Sequence, residues 1–213
     1  MKQHGGNQKT AFAIMIAAAA VAACLAGPAA EAQAADDTTA TQFELYAPQT
    51  GESRILSSGS GISTQSIGPY GNTYCDTAAS DFQLKSYSAT AAPGYTVGSV
   101  SLQCGNSANG FIHIRDRHAA EWLGQYAKYG PTTGLDWSDV ADFDMKTALS
   151  APLATSEDAV AQKTCYAGLI QIKEVPSGDV LGHYEPTVYV SQNNKKIVTA
   201  IPTSRERCSG IFG

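Results

Sequence analysis

The sequence has no apolar stretch long enough to span a bilayer, no cysteines at C-x-x-C spacing and no excess of positive charge. Each absence narrows the field. A membrane-crossing helix needs roughly 20 consecutive apolar residues; the one long apolar run, Ala11 to Ala26 (AFAIMIAAAAVAACLA), falls short of that, and nothing after it comes near. Scattered cysteines without a close pair argue against a structural zinc site. Charged residues make up only 15% of the chain, with 14 Lys and Arg against 19 Asp and Glu. Without Lys2, Lys9 and Glu31 these counts become 12 and 18, a net charge of −6. An acidic chain grips a polyanion poorly as a whole, so any role on nucleic acid must rest on a local basic patch. The sequence also lacks the G-x-S-x-G turn of a serine hydrolase, the H-E-x-x-H of a zinc protease, and any internal repeat.

What is present at the start reads as an export signal. Met1-Lys2-Gln3-His4 and Lys9 give a cationic opening, and the alanine-rich run follows. Ala32-Gln33-Ala34 fits the small-x-small cleavage rule, which makes residues 1–34 the signal. Alternatively, Val21-Ala22-Ala23-Cys24 resembles a lipobox, which would lipidate Cys24 and attach the protein to the outer face of a membrane. Both routes carry the chain out of the cytoplasm. Residues 35–42 are polar and read as a tether.

Four cysteines remain beyond the signal: Cys75, Cys104, Cys165 and Cys208. An even count in an exported chain implies two disulfides, with three pairings open. Cys75–Cys104 with Cys165–Cys208 is favoured, because each bond then staples one half of the chain.

Those halves differ in texture. Residues 43–104 are rich in Ser, Thr, Gly and Ala, with strands expected at 42–47, 81–88 and 95–103, turns at the Gly-Pro and Gly-Asn pairs, and a loop over Ser57 to Gly61. Residues 105–213 read as a firmer α+β domain. Asn106 to Gly110 is a turn; His113 to Tyr129 is a helix with Ile114, His118, Trp122 and Tyr126 on one face; Gly130-Pro131 ends it. A second helix is expected from an N-cap at Ser138 to Leu149, with Val140, Phe143 and Leu149 inward. Strands are expected at 164–175, 182–191 and 195–202. The short turns between them predict an antiparallel meander, so the expected fold is α+β: two helices packed on a C-terminal antiparallel meander, preceded by a Ser/Gly-rich β segment.

The chemistry concentrates in Gly110-Phe111-Ile112-His113-Ile114-Arg115-Asp116-Arg117-His118. Of the three histidines beyond the signal, two are here, with two arginines between them. Imidazole exchanges protons near neutral pH, and guanidinium holds phosphate by paired hydrogen bonds. Those are the parts that RNA cleavage needs: a base for the ribose 2′-hydroxyl, an acid for the leaving oxygen and a cation for the phosphorane. On a helix His118 lies beside Arg115, and His113 sits near the positive end of the helix dipole. Zinc would need His113, His118 and His183, but H-x4-H does not match the H-E-x-x-H of zinc proteases, and no acidic residue sits in the general-base slot.

His113-Ile114-Arg115-Asp116-Arg117-His118 at a helix start, followed by Trp and Phe helix positions and a meander closing on Lys195-Lys196-Ile197-Val198-Thr199-Ala200-Ile201-Pro202, resembles the barnase–EndoU–colicin–RelE ribonuclease fold. Within it the likeness is to the toxin tips of contact-dependent inhibition and other polymorphic toxin systems. It covers Gly105 to Pro202, about half of the chain. The resemblance implies a metal-independent, cofactor-free site on the sheet face. His118 would be the general acid/base, with His113 assisting or orienting it. Arg115 or Arg117 would hold the scissile phosphate, Thr199 would offer its hydroxyl to a phosphate oxygen, and Lys195 and Lys196 would add positive potential. RNA would be the substrate and an immunity protein a partner.

A second function class also fits the residues. The acidic balance, the Ser/Thr/Gly-rich first half and the lipobox suit a non-enzymatic secreted or lipid-anchored binding domain. Tyr70, Tyr74, Tyr87 and Tyr95 would then face a glycan or protein partner.

Overall fold

A computed structural model describes residues 42–56, 67–130, 135–203 and Cys208, without the side chains of 68–70. The signal, its cleavage site, the lipobox, nearly all of the tether and the Ser57 to Gly61 loop lie outside the described residues. The described residues belong to one compact unit. The fold is mixed α+β, with its strands in antiparallel sheets. No helix among the described residues is long and apolar enough to cross a membrane.

The first strand, β1 (Gln42–Ala47), shows how the alternation works. Phe43, Leu45 and Ala47 are buried, while Glu44 and Tyr46 are only half-buried. Gly51 has φ +71 and closes the turn into β2 (Glu52–Leu56), which runs back along β1. On its other side β1 pairs with β7 (Ile170–Val175), and β7 pairs with β8 (Val180–Tyr184), giving the order β2-β1-β7-β8. The Lys173 ammonium lies 3.4 Å from the centre of the Tyr46 ring, a cation–π contact on this sheet.

A second sheet has the order β10-β9-β6-β5, from β5 (Ala154–Asp158), β6 (Lys163–Ala167), β9 (Thr187–Ser191) and β10 (Ile197–Ile201). The expected simple meander is corrected here. The run 164–175 is two strands, parted at Gly168-Leu169, and 182–191 is two strands, parted at Glu185-Pro186. The chain leaves the second sheet after β6, builds the β7–β8 hairpin on the first sheet, and returns as β9. Pro186 has no amide hydrogen to give a ladder, so the strand cannot run on through it. A hairpin of β3 (Gln83–Ala89) and β4 (Gly98–Gln103) meets the residue just before β10 through an isolated parallel bridge between Ser101 and Lys196.

Among the described residues three helices complete the fold: α1 (Ile67–Tyr74), α2 (Gly110–Tyr126) and α3 (Trp137–Ser150). The Gly68-Pro69 and Gly71-Asn72 pairs, expected as turns, lie within α1. Proline is tolerated in a first helical turn. Gly71 has its own reason: a Cβ there would strike the ring of Phe111, so the missing side chain lets α1 meet α2. α3 is buried nearly all round, with Val140, Ala141, Met145, Ala148 and Leu149 each at most 1% exposed. Its N-cap is Asp136 rather than Ser138; the Asp136 carboxylate accepts from the Ser138 amide at 2.9 Å and from the Ser138 hydroxyl at 2.7 Å.

Both disulfides have the favoured pairing. Cys75 is bonded to Cys104, with Cα atoms 5.1 Å apart, and Cys165 to Cys208, with Cα atoms 5.8 Å apart. Such bonds persist in oxidising compartments.

The core holds a buried polar chain. The Tyr184 hydroxyl donates to Asp144 Oδ2 at 2.6 Å and also meets the Tyr126 hydroxyl. Burial raises the Asp144 pKa well above its ordinary 3.8; the Tyr184 bond opposes this, the Asp142 charge adds to it, and Arg54 opposes it. Below the ordinary value both folded and unfolded chains hold the proton, and the group leaves stability unchanged. Above it the unfolded chain releases the proton first, so stability falls as pH rises until the folded value is passed. Asp144→Asn cannot ionise. Its stability relative to wild type is expected to rise as the pH increases above about 4, by at most ~1.4 kcal/mol per pH unit, and to level off once the raised folded-state pKa is passed. Urea unfolding of both proteins across that window measures this; a constant difference would contradict it.

Candidate functional site

α2 begins where two glycines touch. Gly105 and Gly110 have φ of +68 and +76, a region that other residues rarely adopt. A Cβ on Gly110 would lie 2.7 Å from the Gln103 carbonyl oxygen and 2.9 Å from the Gly105 Cα. Between them, Asn106 and Asn109 close a tight loop: the Asn106 amide donates to the Asn109 carbonyl at 2.8 Å and the reverse bond is 3.3 Å. The Asn106 side chain accepts from the Ala108 amide at 2.8 Å. The Gly105 amide donates to the Ser80 carbonyl at 2.8 Å and the Ile112 amide to the Cys104 carbonyl at 2.9 Å. The Cys75–Cys104 bond ties all of this to the end of α1.

Along α2, Phe111, Ile114, Trp122 and Tyr126 form one buried stripe, each at most 1% exposed. His118 falls in the gap of that stripe, with its side chain 14% exposed. His113, half-buried, lies close by: the two imidazole centres are 5.4 Å apart with rings nearly perpendicular. His113 Nδ1 lies 2.8 Å from the Ser107 carbonyl oxygen, and His118 Nδ1 lies 3.1 Å from Glu121 Oε2. A carbonyl or carboxylate oxygen only accepts, so each Nδ1 carries the hydrogen and the lone pair of each neutral ring sits on Nε2.

The arginines separate. Arg115 Nη1 donates to Asp76 and its Nε to Asp116, both at 2.8 Å. The Asp116 bond first, then the Asp76 bond, raises its pKa further, so its charge is permanent but balanced by two carboxylates. In this geometry it braces α2 against the residue after Cys75. Arg117 is exposed on the helix surface.

Thr199 stands on β10, which packs against α2. Its hydroxyl oxygen is buried and, among the described residues, has no hydrogen-bond partner. Lys195 and Lys196 point to different places. The Lys195 ammonium lies 5.3 Å from the centre of the Tyr95 ring. Lys196 instead lines a polar cavity of about 460 Å³ beside the start of α2, with Lys163, Asn106, Asn109, Asn194 and Asp81. His113, His118 and Thr199 are not in the lining of that cavity.

Three contributors escape the sequence reading: Lys163, the Ser107 carbonyl and Glu121. Only the Glu121 spacing to His118, i to i+3 on a helix, left a local signal. The tyrosines proposed to face a partner are corrected in two cases. Tyr87 and Tyr95 are buried, their hydroxyls donating to Asp142 at 2.8 Å and to the Ser99 carbonyl at 3.1 Å. Tyr74 is exposed, and the Tyr70 side chain lies outside the described residues.

Gly110→Ala is expected to destabilise the protein by more than about 1 kcal/mol, since it adds both a positive-φ penalty and a backbone clash. Chemical denaturation checks this; unchanged stability would mean that the glycine contact does not set the start of α2.

No family model, no curated protein and no solved structure matches this chain.

Proposed function

We propose that the chain is an exported, metal-independent endoribonuclease of the toxin-like kind. The observation that carries this reading is the histidine pair: two imidazoles 5.4 Å apart, each with Nδ1 turned to an oxygen acceptor and its basic lone pair on Nε2. His118 removes the proton of the ribose 2′-hydroxyl as that oxygen attacks phosphorus. The bond from phosphorus to the 5′-oxygen breaks, and the proton returns to that oxygen through the same imidazole, leaving a 2′,3′-cyclic phosphate. His113 orients its neighbour. Thr199 on the adjoining strand would hold a phosphate oxygen once its buried, unpartnered hydroxyl is uncovered, and Lys195, Lys196 and Arg117 supply positive potential to the RNA. Arg115 acts through its brace to Asp76. Export follows from the cationic and apolar opening and accords with the two disulfides, with lipidation of Cys24 deciding between a secreted and a surface-held form. An immunity protein would be the natural partner of such a toxin.

A non-enzymatic surface-binding domain is the second reading. It is favoured by the pairing of Arg115 with two carboxylates and by the acidic balance of the chain.

Purified protein incubated with total RNA and EDTA separates the two. Wild type is expected to cleave, and His118→Ala to be slower by roughly 10²–10⁴-fold with its fold intact by circular dichroism. The same intact RNA pattern from both proteins would end the enzymatic proposal and leave the binding domain.

A further inference from the structure

The cavity at the start of α2 contains an electrostatic imbalance. Lys163 on β6 and Lys196 just before β10 both line it, and both are half-buried. Among the described residues neither forms an ion pair. Elsewhere Arg54, Lys85, Arg115 and Lys146 each meet a carboxylate within 4.0 Å. One acidic residue, the exposed Asp81, shares the lining, so two ammonium groups face one carboxylate. Removing part of the water around two like charges is unfavourable unless an anion completes the site.

The remaining lining is rich in carboxamides. Asn106 and Asn194 each spend the side-chain oxygen on a local amide, Ala108 at 2.8 Å and Lys196 at 3.3 Å, so the NH₂ is the group these bonds leave to donate. Asn109 makes no cap bond with its side chain. Donor amides beside two ammonium groups match a phosphate together with the acceptor-rich edge of a nucleobase. The volume of about 460 Å³ lies in the range of small-ligand sites.

We infer that this cavity is a nucleotide subsite for single-stranded RNA, in which Lys163 and Lys196 hold a phosphate that flanks the scissile one and Asn106, Asn109 and Asn194 meet the adjoining base. This deepens the ribonuclease reading and rests on it for the choice of RNA. The loop from Asn106 to Asn109 forms a wall of the subsite and also carries the Ser107 carbonyl that orients His113. Filling the subsite therefore bears on the geometry of the histidine pair.

The experiment uses the full mature chain carrying His118→Ala, so that RNA survives, and measures binding of a single-stranded oligoribonucleotide and of a nucleoside 3′-monophosphate by calorimetry at several salt concentrations. Each lysine contact to a single-strand phosphate adds about −0.7 to the slope of log affinity against log salt. Lys163→Gln in that background is expected to weaken binding roughly tenfold and to make the slope shallower by about 0.7, with unfolding unchanged. Asn109→Ala is expected to weaken the monophosphate while leaving the slope as it was. Binding of RNA that both substitutions leave untouched would overturn the inference, as would failure of either probe to bind. These outcomes are separable from those of the cleavage assay. Nucleotide binding lost with Lys163→Gln in a protein that cleaves nothing would keep the subsite and end the catalytic reading. Cleavage that is indifferent to Lys163 would do the opposite.

Discussion

Where α2 begins is decided by a covalent bond and a contact between two glycines. Cys104 closes β4 and is bonded to Cys75 at the end of α1; Gly105 and Gly110 then approach too closely for any side chain. A disulfide of this kind is worth about 2–4 kcal/mol. The Arg115–Asp76 pair spans the same junction, but the Asp76 side chain is 60% exposed, and exposed pairs contribute about 0–1 kcal/mol. The disulfide and the glycines therefore set the position, and the ion pair refines it. Ser107, in the loop so fixed, presents the carbonyl that orients His113.

The second constraint is the placement of His118 within the buried stripe of α2. On the face of α2 that packs Phe111, Ile114, Trp122 and Tyr126, the His118 side chain is only 14% exposed. Glu121, one turn on, then fixes the ring tautomer. Were His118 to exchange protons as proposed, the packing of α2 around it would help to hold it in place. The buried Tyr126–Tyr184–Asp144 chain adds to it, joining α2, β8 and α3 by hydrogen bonds that water cannot replace.

Much of this was legible in the residues. The alternation of β1, the apolar spacing of α2 and α3, and the pairing of the four cysteines depend on local period and chain order, which a sequence carries directly. Other features depend on which sheet a strand joins. The break at Gly168-Leu169 separates β6 from β7 because their neighbours are β9 and β1, one in each sheet. β5, with the polar sequence ATSED, is a sheet edge with no apolar period to reveal it. Lys163 reaches the cavity beside the start of α2 only because β6 lies beside β9 and β9 beside β10; its register partner is Ser191. Asp76 stands 39 residues before the arginine that it neutralises. Local chemistry named the histidines, whereas the distribution of charge around them is a product of the fold.

The most direct test of the account is the hydrogen position on the two imidazoles. In protein labelled with nitrogen-15 at histidine, long-range nitrogen–proton correlation at alkaline pH distinguishes the neutral tautomers. His113 and His118 are both predicted to carry the hydrogen on Nδ1, with Nε2 as the unprotonated nitrogen. Finding the hydrogen on Nε2 in both rings would contradict the account, because neither imidazole would then present its base where the candidate site needs it.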